Sequence, residues 1–151
     1  MIRAKASARC VYLPGMPHPL MFDDADPLLA RVRRLALAFP DAAETISHGH
    51  PAFYTTKVFA YYGGSVKVDG VYQQHDQSVL VLADPDDRAA LLAEPRCYPP
   101  AYLASSGWVG VDLTDDTDWA EIGELLDAIY RRTPGARRVA RLDARQAPDR
   151  I

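Results

Sequence analysis

The chain has 151 residues, 48% of them hydrophobic and 25% charged, with a formal net charge of −3; this composition is typical of one globular domain. No apolar run reaches the roughly 18 residues that a membrane span requires, and prolines interrupt the apolar stretch near the N-terminus, so we expect neither a membrane protein nor a secretory signal. Cys10 and Cys97 are far apart in sequence, and we expect no disulfide and a cytoplasmic location.

The charge is unevenly distributed along the chain. Residues 1–22 carry three basic groups and no acidic group, and residues 134–151 carry five arginines against two aspartates, so each segment has a net charge of +3 and the middle has −9. We therefore predict an N-terminal extension over 1–22, a single domain over 23–133 and a basic C-terminal tail over 134–151. The extension either is a flexible arm or contains the true start of the chain, at Met16 or Met21.

Asp26 and Pro27 predict the beginning of a first helix. An aspartate at the N-cap accepts hydrogen bonds from the first free amides, and proline suits the next position, where no amide donor is needed. Apolar residues then follow at helical spacing: Leu28, Val32, Leu35 and Phe39. Pro40 is expected to end this helix.

The pattern from Thr45 to Leu82 is that of antiparallel strands. β-Branched and aromatic residues lie on both sides of a predicted hairpin turn near Thr55–Thr56, Gly63–Gly64 predicts a break, and Asp69–Gly70 predicts a second turn. The run "SVLVLA" (78–83) is apolar and continuous, as in a central strand covered on both faces. We expect a meander of three to five strands.

A second helix is predicted from Asp84–Pro85 to about Glu94, because the same Asp-Pro pair begins it and two more aspartates favour the positive end of a helix. Residues 96–107 are predicted to form a loop, with a helical turn at Pro100–Leu103.

The strand "WVGVDL" (108–113) and a final helix complete the predicted order. Asp118 and Glu121 form a plausible capping box at the start of that helix, which is expected to end near Arg132. The whole pattern predicts an α+β fold, with an antiparallel sheet packed by N-terminal, middle and C-terminal helices.

Three stretches in this order resemble the MmcQ/YjbR-like family of small bacterial proteins: "LALAFPDAAETISHGHPAFYTTKVFAYY", "LADPDDRAALLAEP" and "YPPAYLASSGWVGVDLTDDTDWAEIGELLDAIYRRTP". The resemblance implies a YjbR/CyaY-like, or double-wing, α+β fold. The family is often labelled DNA-binding, and the resemblance brings no catalytic residues with it. Of the family's basic positions, this chain retains Lys57.

The pair His48 and His50 is the strongest metal-like pattern. Both imidazoles would project to one side of a strand, and an HxH pair can bind zinc or copper when a third ligand is present. His75, Asp76 or Cys97 could supply that ligand only through the tertiary fold. Gly49 and Pro51 instead favour an irregular entry to the hairpin, so we predict no metal site and no cofactor.

No pattern indicates a nucleophilic enzyme. Ser105 and Ser106 lack the flanking glycines of a nucleophile elbow, and Cys97 is better interpreted as a small buried hydrophobe than as a reactive thiol. Since no acid, base and nucleophile converge by spacing, we predict that the protein is not an enzyme and has no catalytic residue.

The aromatic residues of the strands allow two interpretations. Most are expected in the core, Phe59 and Trp108 first. Alternatively, tyrosines whose hydroxyl groups stay exposed to solvent lie at the edge of a groove, where they could stack bases or hold a small planar ligand. The candidate contact residues are His48, His50, Lys57, Tyr62, Tyr98, Tyr102 and Trp108.

Two functions follow from these patterns. The first is a DNA-binding protein, with weak binding assisted by the two basic tails, because attraction to phosphate is the sequence-independent part of DNA affinity. The second is a module that binds an unknown small molecule or a protein through the aromatic groove. An enzyme ranks third.

Overall fold

The computed structural model describes residues 19–132 together with residues 141 and 144. Residues 1–18 of the predicted extension and the rest of the predicted tail lie outside the described residues. No helix in the described part is both long and apolar enough to cross a membrane. The helices are α1 (Pro27–Ala36), α2 (Pro85–Leu92) and α3 (Trp119–Arg132); the strands are β1 (Ala43–Ser47), β2 (His50–Tyr54), β3 (Val58–Val68), β4 (Val71–Leu82), β5 (Cys97–Tyr98) and β6 (Trp108–Asp112).

The six strands form one sheet in the order β1-β2-β3-β4-β6-β5, and all neighbours are antiparallel. The three helices pack against one face and enclose the main core with residues such as Phe53, Val79 and Val111. A smaller cluster of Leu80, Tyr98 and Trp108 covers the opposite face. The predicted α+β fold is confirmed, and so is the prediction that the end of β4 is covered on both faces.

The N-cap of α1 ties this helix to the sheet. One oxygen of the buried Asp26 carboxyl group accepts from the Leu28 amide at 2.9 Å and from the Gln77 side chain at 3.1 Å, and the other accepts from the Tyr62 hydroxyl at 2.5 Å. Burial and this bond raise the pKa of Tyr62. The helix ends at Ala36, earlier than the predicted stop at Pro40.

The caps of α2 and α3 follow the sequence prediction in part. Asp84 accepts from the Asp86 amide at 3.0 Å, and Asp118 accepts from the Glu121 amide at 3.3 Å. The Glu121 side chain binds Arg96 rather than returning to the cap, so the hydrogen bonds of the described residues include only half of a capping box.

Two local predictions are wrong. Gly63–Gly64 does not break the strand: β3 continues through it with a bulge between Tyr62 and Gly64, because Gly63 adopts φ +84° and pairing with β4 resumes at Gly64. In the predicted loop, Cys97–Tyr98 pairs with β6 as a short strand. A hydrogen-bonded turn does lie at Pro100–Leu103, where the Leu103 and Ala104 amides donate to the Pro100 carbonyl at 3.3 and 2.9 Å, and a short 3-10 turn follows at Ala104–Ser106.

The predictions that Phe59 and Trp108 are buried are confirmed, at 0% and 9% exposure. Phe59 contacts Phe39 and Tyr130 edge-on on the helix side of the sheet. The described end of the predicted extension also contributes, because Phe22 packs against the main core and Met21 donates to the Gly49 carbonyl at 2.8 Å.

Candidate functional site

The structure does not bring the seven predicted contact residues to one rim. Tyr62 is fully buried on the helix side, whereas Tyr98 and Trp108 are buried in the cluster on the opposite face. Lys57 is exposed in the turn between β2 and β3. Tyr102 is 83% exposed, the largest value among the exposed large hydrophobic residues of the described chain.

The two predicted histidines lie at the turn between β1 and β2. His48 is exposed with a left-handed backbone (φ 51°), and His50 is half-buried with Nδ1 3.2 Å from the Tyr62 carbonyl oxygen. Because a carbonyl only accepts, Nδ1 of His50 carries a proton. Burial lowers the pKa of His50. No group of three or more potential metal ligands occurs among the described residues.

Tyr98 is held flat against the sheet by two glycines. A Cβ atom on Gly110 would lie 2.2 Å from Tyr98 Cζ, and one on Gly64 would lie 2.8 Å from Tyr98 Oη, so the ring spans from β6 to β3 directly over the backbone. Its hydroxyl is 2.7 Å from Ser78 Oγ, which donates to the His75 carbonyl at 2.8 Å. Tyr98 therefore donates to Ser78, and burial raises the pKa of Tyr98.

His75 and Asp112 form a pair next to this network. The imidazole stacks on Tyr98 with ring centroids 4.0 Å apart, and Nδ1 is 2.7 Å from Asp112 Oδ1. Although Ser78, His75 and Asp112 are close together, their geometry is not that of a nucleophilic triad, because the buried Ser78 hydroxyl bonds to the His75 backbone and not to the ring. This polar cluster fixes the root of the β3–β4 hairpin.

The outer half of the β3–β4 hairpin projects from the sheet as a two-stranded ribbon. Residues 64–68 pair with residues 71–75, whereas β2 and β6 pair only with the inner halves of these strands, at residues 58–61 and 78–82. The loop after β5 supports the ribbon through a backbone hydrogen bond, from the Ala101 amide to the Ser65 carbonyl at 2.7 Å. We call residues 64–75 the ribbon.

The end of the ribbon carries an exposed pair of tyrosines. Tyr72 and Tyr102 stack with centroids 5.9 Å apart and an interplanar angle of 17°, and their hydroxyl oxygens are 2.7 Å apart. Lys67, the cross-strand partner of Tyr72, places Nζ 5.4 Å from the Tyr72 ring centroid. These three residues are called the tyrosine site below.

The backbone of Tyr102 is strained. Its φ of 70° lies in the left-handed region, which bulky side chains rarely adopt and which costs about 1–3 kcal/mol. A residue that is 83% exposed recovers little of this cost by burial. Strain at an exposed aromatic residue is typical of positions kept for recognition.

The ribbon carries no net charge, in contrast to the acidic domain around it. Residues 19–132 contain nine Lys and Arg against eighteen Asp and Glu, but the ribbon contains only Lys67 and Asp69. An anionic partner therefore meets no net negative charge at the tyrosine site, whereas the rest of the described domain carries −9.

Cys97 has the side chain best suited to act as a nucleophile, but its thiol is not activated. Burial, followed by the neighbouring Glu94, raises the pKa of Cys97 to about 11, so the thiol is protonated at neutral pH.

Sequence reasoning missed Lys67 and Tyr72, although a signal for them exists. A two-residue turn at Asp69–Gly70 fixes the register of the hairpin and so makes Lys67 and Tyr72 cross-strand neighbours. That Tyr102 joins them could not be read from spacing, because it arrives from a loop thirty residues away.

The fold and the site together define a class: a small α+β protein with a six-stranded antiparallel sheet, helices on one face and a projecting ribbon with an aromatic end. The model of the YjbR family matches residues 37–132, and the chain belongs to this family.

Two solved structures share the fold. A protein from Pseudomonas syringae matches with a TM-score of 0.53 and 14% identity over 72% of this chain and 99% of its own. Protein DR2400 from Deinococcus radiodurans contains the domain DUF419. It matches with a TM-score of 0.51 and 19% identity over 76% of this chain and 87% of its own. No curated protein matches the chain significantly. The CyaY-like and double-wing descriptions of the fold stay predictions.

Proposed function

We propose that the protein is a non-enzymatic DNA-binding protein and that the tyrosine site is its contact surface. The observation that carries this proposal is the exposure of Tyr102: one face of the ring is stacked on Tyr72, and the side chain is 83% exposed on a strained backbone. A ring held in this way offers its free face to a nucleobase, and such stacking contributes about 1–3 kcal/mol per base.

The form of DNA that this geometry favours is single-stranded. A base inside a duplex is covered on both faces by its neighbours, whereas an unpaired base can stack on Tyr102. Lys67 beside Tyr72 is placed to contact the phosphate that follows or precedes the stacked base. The ribbon itself can also enter a duplex major groove, which admits a two-stranded β-ribbon, but there the aromatic faces would not be used.

The basic segments outside the domain supply the remaining attraction for phosphate. The domain carries −9 and each tail +3, so we propose that the tails steer and hold the backbone while the ribbon contacts the bases. Such binding is weak and depends strongly on salt.

The non-enzymatic part of the proposal is supported by the state of the potential nucleophiles. Ser78 is fully buried and already bonded to Tyr98 and to the His75 carbonyl, and the pKa of Cys97 is raised to about 11. The His75–Asp112 pair has no nucleophile at its ring nitrogen within the hydrogen bonds of the described domain.

Fluorescence anisotropy with a labelled single-stranded oligonucleotide and with its duplex, each at two salt concentrations, tests the proposal. We expect tighter binding to the single strand, and a loss of about fivefold to a hundredfold for Tyr102→Asn, since removal of one stacked base contact costs about 1–3 kcal/mol. Asparagine tolerates the left-handed backbone, so this variant removes the ring without adding strain. Tyr102→Phe keeps the ring and should bind like the wild type.

Lys67→Ala is expected to weaken binding and to reduce the slope of log affinity against log salt by about 0.7, the value for one phosphate contact with a single strand. Arg34→Ala is the matched control, because Arg34 is exposed on α1, on the other side of the sheet. Equal losses for the two variants, or unchanged binding by Tyr102→Asn, would show that DNA does not contact the tyrosine site.

A small planar molecule or a protein is the second candidate partner, and the exposed valines at the end of the ribbon favour it. Val68 and Val71 are 40% and 64% exposed beside the tyrosine site, and apolar exposure of this kind is typical of contact surfaces for uncharged partners. A ligand of this kind would raise the melting temperature of the wild type and leave that of Tyr102→Asn unchanged, at any salt concentration.

A further inference from the structure

A cleft of about 340 Å³ lies between α2 and α3, at the end of β4 and away from the ribbon. Its volume is at the lower end of the range found for small-ligand sites. The lining comes from three parts of the chain: residues 81–84 at the end of β4 and just beyond it, residues 87–94 on α2 and just beyond it, and residues 125–132 on α3.

The floor of the cleft is apolar. Val81 and Ile129 are buried in the main core, and Leu91 and Leu125 pack against that core while remaining partly exposed. Ala90 and Ala128 also line the cleft, and the short side chains of these alanines leave the space between the two helices unfilled. None of the eight residues of α2 is buried.

The rim of the cleft is acidic. Asp84, Asp87 and Glu94 lie on it against the single cation Arg132, which gives the lining a net charge of −2. Arg132 donates to the Leu82 carbonyl at 2.6 Å and lies 3.4 Å from Asp84, and Glu94 is paired with Arg96 at 3.0 Å.

Asp87 differs from the other two rim carboxylates. Its side chain makes no hydrogen bond or ion pair with any described residue, and it is exposed. An apolar floor below an unpaired carboxylate complements a ligand that joins a cationic head to an apolar chain, because the chain removes apolar surface from water while the head stays at the wet rim.

We propose that the cleft between α2 and α3 is a binding site for a small organic cation, an ammonium group carried on a short alkyl chain. The ammonium group binds Asp87 at the rim, and the alkyl chain lies against Leu91, Leu125 and Ile129. This site is independent of the tyrosine site, since it uses the opposite charge preference and different elements.

Methyl-resolved NMR titration of the full chain with n-hexylammonium tests the site. We expect saturable shifts for the methyl groups of Leu91, Leu125 and Ile129, and none for Leu80 and Leu103 on the other face of the sheet. Two probes separate charge from apolar contact: hexanoate has the same chain with the opposite charge, and methylammonium has the charge without the chain. Hexanoate is expected to bind at least about fivefold more weakly, because it loses an ion pair of about 1 kcal/mol. Methylammonium is expected to bind at least about fivefold more weakly as well, because it loses the apolar contact of the chain, about 0.8 kcal/mol for each buried CH₂ group.

Two variants locate the probe. Asp87→Asn should weaken hexylammonium about two- to fivefold, whereas Asp86→Asn, a matched change at the next residue that does not line the cleft, should leave it unchanged. Ala128→Leu should abolish binding by filling the cleft while keeping good helix propensity in α3. The proposal is overturned if hexanoate binds equally well, if neither Asp87→Asn nor Ala128→Leu changes the affinity, or if the methyl groups do not shift.

Discussion

Glycine at positions 64 and 110 lets the Tyr98 ring lie against the backbone of the sheet. At both positions an added Cβ atom would come within 2.8 Å of the Tyr98 side chain, so glycine is required there by close approach and not by its backbone conformation. The ring in turn supports His75 by stacking and anchors Ser78 by a hydrogen bond.

Gly110→Ala should therefore destabilise the protein by about 1–3 kcal/mol, the usual effect of overpacking, because Tyr98 must move away from β6 and lose its bond to Ser78. Gly123→Ala is the matched control: its Cβ would meet only Leu35, at 3.8 Å, in the middle of α3, where alanine is favoured over glycine by up to about 1 kcal/mol. Urea unfolding of both variants measures the two effects, which should have opposite signs. Similar shifts in the same direction would show that Tyr98 is not held by Gly110.

Burial of individual aromatic residues is where the sequence is least informative. Tyr62, Tyr98 and Tyr102 look alike as tyrosines in or near strands, yet the first is bonded to Asp26 in the core, the second lies on two glycines, and the third is exposed. Each outcome is decided by a partner distant in sequence, which periodicity and composition do not encode. Phe59 and Trp108 could be predicted because large apolar side chains in strands have few alternatives to burial.

Most helices and strands can be predicted from local signals in the sequence. Both Asp-Pro pairs begin helices, and the turns near Thr55 and at Asp69–Gly70 separate β2, β3 and β4 as predicted. The bulge at Gly63 and the strand at Cys97–Tyr98 cannot be predicted from such signals, because each depends on pairing with another strand, whose register is set by distant parts of the chain.

The two Asp-Pro caps look equivalent in sequence but are expected to differ in energy. The Asp84 side chain accepts from one backbone amide and, among the described residues, has only the exposed Arg132, at 3.4 Å, as a further partner. Asp26 is buried and joins α1 to β3 and β4 through Tyr62 and Gln77. Asp84→Ala should cost about 1 kcal/mol, the usual value for an N-cap. Asp26→Ala should cost about 3 kcal/mol, because it also removes the charged acceptor of a buried hydroxyl group.

Chemical unfolding of the two alanine variants, each compared with the wild type, gives both values. The double variant Asp26→Ala/Tyr62→Phe is the informative control, since it removes the hydroxyl that Asp26→Ala leaves without its acceptor. It should be no less stable than Asp26→Ala alone. Equal losses for Asp26→Ala and Asp84→Ala would mean that the contacts of Asp26 with the sheet add nothing to its role as a cap.

At the level of the whole molecule, two parts of the chain carry opposite net charges and attract each other. The domain has a charge of −9, and the C-terminal segment 134–151 has +3. Arg141 from that segment forms an ion pair with Asp41, an exposed residue two positions before β1. If the basic segments assist DNA binding, phosphate must compete with the carboxylates of the domain for the same arginines.

This competition predicts opposite effects for two changes. Deletion of residues 134–151 should weaken binding to a single-stranded oligonucleotide and flatten its salt dependence, because phosphate contacts are lost. Asp41→Asn should instead strengthen binding about two- to fivefold at low salt, because an exposed ion pair of up to about 1 kcal/mol no longer holds Arg141 to the domain. Asp115→Asn is the control for net charge alone, since Asp115 is exposed in the loop before α3 and makes no ion pair with a described residue.

Anisotropy titrations of the three proteins against the wild type, repeated at high salt, separate the mechanisms. A release of the tail predicts a larger gain for Asp41→Asn than for Asp115→Asn, and in the deletion protein, where Arg141 is absent, the gain from Asp41→Asn should fall to that of Asp115→Asn. Equal gains for the two asparagine variants in the full chain would mean that only the total charge matters. Loss of all effects at high salt is expected in either case, because salt weakens both exposed ion pairs and contacts with phosphate. If the protein binds DNA as proposed, the acidic domain acts as an internal competitor for its own basic tail, and the expected affinity of this chain of net charge −3 for DNA is low.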